Sequence, residues 1–154
     1  MVNQQRAYIF RTAGGVVGAC FSNGDIWRIE VTDENGSKKT VGSNHGGHVA
    51  VMASGVILLS TYPQNLCSTG THDVEDTIYF SNGYHMATGT SMAAPIVTGV
   101  AALLLSYDSS LSAEEIKGII TASKESYASL AQYCTSGGMV NAFNAIQTLV
   151  EPEN

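Results

Sequence analysis

Basic side chains are scarce in this sequence: Lys and Arg total 7 against 13 Asp and Glu, a net charge of −6 over 154 residues. A chain this acidic, with so few cations, cannot track a phosphate backbone, which argues against nucleic acid as a partner. Cysteine is sparse too. Cys20, Cys67 and Cys134 are odd in number and lack a CxxC spacing, so neither a disulfide framework nor a zinc ribbon is indicated. At most one internal disulfide can form, and Cys20 and Cys134 read as small buried hydrophobes. No apolar run is judged to reach the ~18 residues a membrane helix needs. The opening MVNQQRAYIF has one Arg and no unbroken apolar stretch, so it does not read as a signal peptide, and no membrane partner is expected. Repeats, low-complexity tracts and Pro-, Gly- or Ser-rich linkers are all missing, so residues 1–154 are expected to form a single domain.

What is present is a folded core. A hydrophobic fraction of 44% with mean hydropathy +0.07 reads as soluble and globular rather than disordered. GGVVGACF at 14–21 is a short apolar run behind glycines and predicts a buried strand, with SNGD at 22–25 a turn after it. IWRIEV at 26–31, then DENG and SKK, predict a hairpin. HVAVMA at 48–53 and VILLST at 56–61 are again strand-like, separated by Ser54 and Gly55.

The period then changes. TSMAAPIVTGVAALLLSY, from Thr90 to Tyr107, is apolar on nearly every face and predicts a central helix buried on all sides. Pro95 is tolerated near its first turns, and Gly99 lets another backbone come close. SAEEIKGIITAS offers a capping box, Ser112 with Glu115, and sets Leu111, Ile116, Ile119 and Ile120 on one side of a peripheral helix. A last helix is expected over 140–150 with Phe143, Ile146 and Val150 as its stripe. Strands first and helices last, in buried apolar runs, predict an α/β fold.

Chemistry concentrates in GTSMAAP, residues 89–95. A serine at a helix start faces the positive end of the dipole and free backbone amides, which can donate to an oxyanion growing on a substrate carbonyl. Gly89 relieves crowding where substrate approaches, Thr90 adds a hydroxyl, and Ala93 and Ala94 keep the first turn close to its neighbours. Local physics alone leaves Ser91 open between helix cap and nucleophile, since serine is a common N-cap.

GTSMAAPIVTGVAALLLS resembles the nucleophile segment of the subtilisin-like serine proteases, the subtilases (peptidase S8), whose pattern is GTSMA, a small residue, Pro and an apolar helix. SNHGGHVAVMASGVILLSTYP at 43–63 is similar to the family's strand pair before the nucleophile, and VGACFSNGDI to its VGA segment. LSAEEIKGII and GGMVNAFNAI are similar to its closing helices. The resemblance implies a partial three-layer fold with a mostly parallel sheet, the C-terminal portion of a catalytic domain, and serine endopeptidase activity on a peptide or protein substrate. It implies Ser91 as nucleophile, the Ser91 amide and Thr90 hydroxyl as oxyanion donors with Gly89 in support, and structural roles for Met92 and Pro95. Asn3 is the one asparagine available for the family's oxyanion asparagine, and its match is poor. Ser54 and Ile96 stand where the family usually has Pro and His.

In this family the order is Asp, His, Ser, and the first two lie farther upstream than this chain extends before Ser91. An upstream segment or a companion chain carrying Asp and His is therefore expected as a partner. HGGHVA at 45–50 looks like the family's histidine box, but the match through MASGVILLSTYP makes it the loop and strand that carry no triad member, so His45 is not assigned as base. His45 and His48 as zinc ligands, and His72 beside Asp73 as a catalytic pair, fail on spacing. His85, six residues before Ser91, is placed in the strand that leads into the site and is not assigned as base. No cofactor is required for the chemistry. Calcium is common in the family, but no carboxylate cluster can be nominated for it. Kinship implies a secreted or cell-envelope location. The competing readings are a catalytically inactive subtilase-like fragment or binding module, and an unrelated α/β binding domain.

Overall fold

The computed structural model describes residues 16–20, 28–32, 38–63, 78–80 and 83–150. Among these residues nine strands and three α-helices follow in the order β1 (Val16–Cys20), β2 (Arg28–Thr32), β3 (Lys38–Gly42), β4 (Val49–Ser54), β5 (Leu58–Thr61), β6 (Ile78–Phe80), β7 (Tyr84–Ala87), α1 (Thr90–Tyr107), α2 (Ala113–Ala122), β8 (Glu125–Ser126), β9 (Gly138–Met139) and α3 (Ala142–Val150). A 3-10 turn, Ala128–Leu130, lies between β8 and β9.

β1, β4, β9 and β8 form one sheet in that order. The pairings β1–β4 and β4–β9 are parallel, and β8–β9 is antiparallel. β2 and β3 form the expected hairpin, and β5–β7–β6 is a separate antiparallel sheet. The sheet is thus parallel at its centre and mixed overall, in an α/β arrangement.

β4 explains the layering. Its run of β-branched and small apolar residues buries Val49, Val51, Met52 and Ala53, so the strand is covered on both faces, as a central parallel strand must be. Val51 and Ala53 pack into the cluster that includes Ala93, Val97 and Leu104 of α1, Ile116 and Ile120 of α2 and Ala145 of α3. Met52 packs with Leu130, Cys134 and Met139. Cys134 is a buried free thiol, as expected for a small hydrophobe, whereas the side chains of Cys20 and Cys67 lie outside the described ones. Gly138 is required where β8 meets β9: a Cβ there would run into the Glu125 carbonyl oxygen.

Three expectations need correction. α1 is not buried on all sides: Ala93, Val97, Val100, Ala101 and Leu104 are buried, while Ile96, Leu103 and Tyr107 are 41, 43 and 56% exposed. Apolar composition does not force burial, and among the described residues no element packs over that face. The same helix has 18 residues with a mean hydropathy of 1.5, so it does reach membrane-spanning length and composition. Its packing against β1, β4, α2 and α3 is that of a core helix. Finally, α3 begins at Ala142 and buries Ala145, with Ile146 and Leu149 packed beside it, whereas Phe143 and Val150 are exposed. The face that meets α1 is one of small and branched residues, not the Phe143 side. α2 agrees with the reading: Ser112 accepts from the Glu115 amide, Glu115 reaches back to the Ser112 amide, and Ile116 and Ile120 are buried.

Candidate active site

The end of β4 and the start of α1 meet at a backbone bond. The Gly89 amide donates to the Gly55 carbonyl at 2.7 Å, which sets the helix N-terminus at the carboxyl end of β4, where ligands gather in parallel α/β sheets. β7 delivers the chain to this point: Leu58 pairs with Ala87 and Ser60 with His85. The Thr88 hydroxyl accepts from the Ile57 amide at 2.9 Å, pinning the bend between β4 and β5 to the residue just ahead of Gly89. Ile57 pays for this with φ 52°, the one described non-glycine residue at positive φ.

Gly89 is the N-cap, with φ 147° and ψ 169°, a region essentially open to glycine alone. The requirement is conformational rather than steric, since an added Cβ would meet only the Ser91 amide nitrogen at 4.0 Å. The Gly89 carbonyl accepts from the Met92 and Ala93 amides at 2.9 and 3.2 Å. The amides of Thr90 and Ser91 are thus among those with no intrahelical acceptor, and they sit at the positive pole of an 18-residue helix. Ser91 is the second helical residue and is exposed. Among the described residues, no side chain hydrogen-bonds its hydroxyl. Pro95 is the sixth helical residue, beyond the first four whose amides are free in any helix. Its missing N–H therefore deprives the Ser91 carbonyl of the usual i+4 donor and loosens the helix at that point.

Beside this turn lies a cleft of about 250 Å³ between the β5–β7 pair and α1, lined by Leu58, Leu59, Ser60, His85, Met92, Pro95 and Ile96. His85 stacks on Tyr62 at 4.7 Å between ring centroids. The sequence placed this histidine in the strand leading to the site, and so it stands.

His45 and His48 occupy the turn before β4. His45 packs edge-on against Tyr133 at 5.6 Å, and the Gly46 amide donates to the Tyr133 carbonyl at 2.8 Å. His48 lines a wider hollow of about 530 Å³ with Lys117, Thr121, Lys124, Thr135 and Ser136. The chain runs from His48 into strand, not helix, as the reading required. Asn3, His72 and Asp73 lie outside the described residues. Among the described residues, no three His, Cys, Asp or Glu side chains are grouped to hold a metal ion.

One neighbour was not found from the sequence. The Asn44 amide donates to the Thr90 hydroxyl at 3.4 Å, across 46 positions, and only the fold brings the two together. No local signal announces it, because Asn44 sits in an ordinary Ser-Asn-His-Gly turn.

Comparison with known proteins agrees with this geometry. Residues 16–143 match the model of the Subtilase family. The chain is 31% identical over 119 residues to Subtilisin DY of Bacillus licheniformis, covering 77% of this chain and 36% of the relative. It is 34% identical to Thermitase of Thermoactinomyces vulgaris, covering 77% and 35%. Among solved structures, proteases from Pseudoalteromonas arctica PAMC 21717 superpose with a TM-score of 0.53 at 29% identity, covering 82% of this chain and 36% of theirs. Fervidolysin from Fervidobacterium pennivorans, at 24% identity and a TM-score of 0.55 over 90% of this chain and 20% of its own, shares the fold. The chain spans about a third of the length of the two curated relatives named here. With the family pattern matched over most of the chain and its fold reproduced, this protein belongs to the Subtilase family of serine proteases.

Proposed function

We propose that the chain supplies the nucleophile of a serine endopeptidase, with Ser91 forming an acyl-enzyme on a peptide carbonyl. The observation that carries this reading is the exposed residue Ser91 on the first turn of α1, where the free amides and helix dipole favour negative charge on an adjacent oxygen. The Ser91 amide and Thr90 hydroxyl would donate to the oxyanion, Gly89 would shape the approach, and Asn3 would be a further donor. A serine hydroxyl is a weak nucleophile at neutral pH without a base. The histidine and aspartate that activate it belong to an upstream segment or companion chain, and the isolated chain lacks appreciable peptidase activity. In the completed enzyme the imidazole takes the Ser91 proton as the hydroxyl attacks, returns it to the leaving amine, and water then releases the acyl group. No cofactor enters these steps; a structural calcium would be a matter of stability. Export is in keeping with relatives such as the Extracellular basic protease of Dichelobacter nodosus.

Fluorophosphonate labelling tests the reading. Labelling that depends on Ser91, is lost in Ser91→Ala, and requires a completing polypeptide is expected. Rapid Ser91-dependent labelling of the 154-residue chain alone would mean that the base resides within it, with His85 the first candidate. No labelling under any completion would favour the inactive-module reading.

A further inference from the structure

The hollow beside His48 lies at the other end of β4 from Ser91. Its volume of about 530 Å³ is that of a small-molecule site. The six residues of β4 set it about 20 Å from the Gly55–Gly89 junction, at ~3.3 Å per residue. Lys117 and Thr121 of α2, and Lys124 just beyond it, follow at steps of four and three, so they share one face of that helix and its continuation. His48, Thr135 and Ser136 complete the lining. This part is tied down, because the Thr135 and Ser136 amides donate to the Val49 and Ala50 carbonyls at 2.8 and 3.1 Å.

Charge is the second observation. The chain carries a net charge of −6, and the only Lys or Arg after residue 39 are Lys117 and Lys124, both of which line this hollow. Among the described residues no Asp or Glu lines it. The Glu115 carboxyl is held at the far end of α2 by the Ser112 amide and hydroxyl at 2.7 and 2.6 Å, and Glu114 and Glu125 are exposed. Lys124 is half-buried. Its Cγ sits so close to Gly138 that a Cβ there would run into it, so part of the entropy of ordering this long side chain is already spent in the fold. The C-terminal end of α2 opposes an anion with about half a negative charge. Two ammonium groups outweigh it, and the Thr121 and Ser123 hydroxyls already donate to the Lys117 and Ile119 carbonyls at 2.8 and 2.7 Å.

We propose that this hollow binds a small multivalent oxyanion, a phosphate or polycarboxylate group, held by the Lys117 and Lys124 ammonium groups with His48 as a further donor. Two cations on one face favour a ligand with two or more negative charges, through charge-assisted hydrogen bonds. The threonine hydroxyls are committed as donors elsewhere, Thr121 to the Lys117 carbonyl and Thr135 to the Val49 carbonyl at 3.1 Å, so recognition falls to the nitrogens. A lining of lysines without a carboxylate disfavours a metal cation in the same place. The inference is independent of the role given to Ser91.

Inorganic phosphate and citrate are titrated separately into the 154-residue chain at constant ionic strength, with sodium chloride as the screening control, and binding is followed by calorimetry and amide NMR shifts. Saturable binding of at least one is expected, with shifts at Gly47, His48, Thr121 and Lys124. Lys117→Gln and Lys124→Gln should each weaken it about fivefold or more, as loss of a charge-assisted hydrogen bond does. Lys39→Gln, on β3, should change it less than about twofold, because a charge outside the hollow is screened by salt. Tighter phosphate marks a phosphoryl ligand and tighter citrate a polycarboxylate, and either supports the site. Binding that does not saturate, an effect that chloride matches, or equal weakening by Lys39→Gln overturns the proposal. So do shifts confined to Gly89, Thr90 and Ser91, since the anion would then sit at the N-terminus of α1. Melting curves of the variants guard against misfolding, and if Lys124→Gln does not fold, Lys117→Gln decides.

Discussion

The Asn44 side-chain amide reaches the Thr90 hydroxyl at 3.4 Å, joining the turn ahead of β4 to the first residue of the helix that carries Ser91. The amide nitrogen is the donor, so the Thr90 hydrogen stays free to point toward a substrate oxygen. Replacing Asn44 by Ala should leave stability within about 0.5 kcal/mol, because the contact is exposed. It should slow acylation of Ser91 in the completed enzyme by several-fold. Asn44→Asp should slow it further, since a carboxylate accepts where the amide donates and adds negative charge near a developing oxyanion. Fluorophosphonate labelling rates, compared with melting curves of the same variants, check both. Equal rates in all three proteins would remove Thr90 orientation from the role given to Asn44.

Strain at Ile57 makes a second prediction. A β-branched residue at φ 52° occupies the left-handed region at a cost of roughly 1–2 kcal/mol, and its side chain is 62% exposed, so little burial offsets the cost. The Thr88 hydroxyl holds the Ile57 amide in place. Ile57→Asn, with a residue that tolerates this conformation, should raise stability by about 0.5–1 kcal/mol. Denaturant titration decides it, and a loss instead of a gain would mean that the exposed isoleucine is held by packing.

How much of this was legible beforehand depended on how local each determinant is. The capping box of α2 was readable because Ser112 and Glu115 answer each other within one turn, and β4 because four of its residues are buried on two faces of a short apolar run. The placement of Ser91 followed from GTSMAAP. The exposed side of α1 and the wrong stripe on α3 had a different origin: a sequence pattern reports which residues are apolar, not which of them find a neighbour. Phe143 is the most apolar-looking residue of α3 and is 67% exposed, while small Ala145 is fully buried. Asn44 was invisible for the same reason, its partner lying 46 residues away.

Acid should weaken the cap of α2 in a defined sense. Hydrogen bonds from the Ser112 hydroxyl and then the Ser112 amide hold the Glu115 carboxyl below its ordinary value. Because the folded-state value is the lower one, the stabilisation is present above the ordinary glutamate pKa, about 4.3, and is lost as pH falls through the lowered one. Glu115→Gln should therefore be less stable than wild type at neutral pH, and the gap should close below pH 4. Unfolding midpoints of the two proteins measured across that range check the sign, and a gap that widens in acid would contradict it.

Neighbouring leucines on α1 separate the two faces of that helix energetically. Leu104 is fully buried in the cluster with Val51, Val97, Ile116 and Ala145, whereas Leu103 is 43% exposed. Truncating Leu104 to Ala removes buried methyl groups and leaves a cavity, at a cost of about 2–5 kcal/mol. The same change at Leu103 should cost well under 1 kcal/mol in the free chain, since alanine also has the better helix propensity. Chemical denaturation of both variants measures the difference. A Leu103→Ala penalty as large as that of Leu104→Ala would mean that the Leu103 face of α1 is packed rather than solvated, against its 43% exposure.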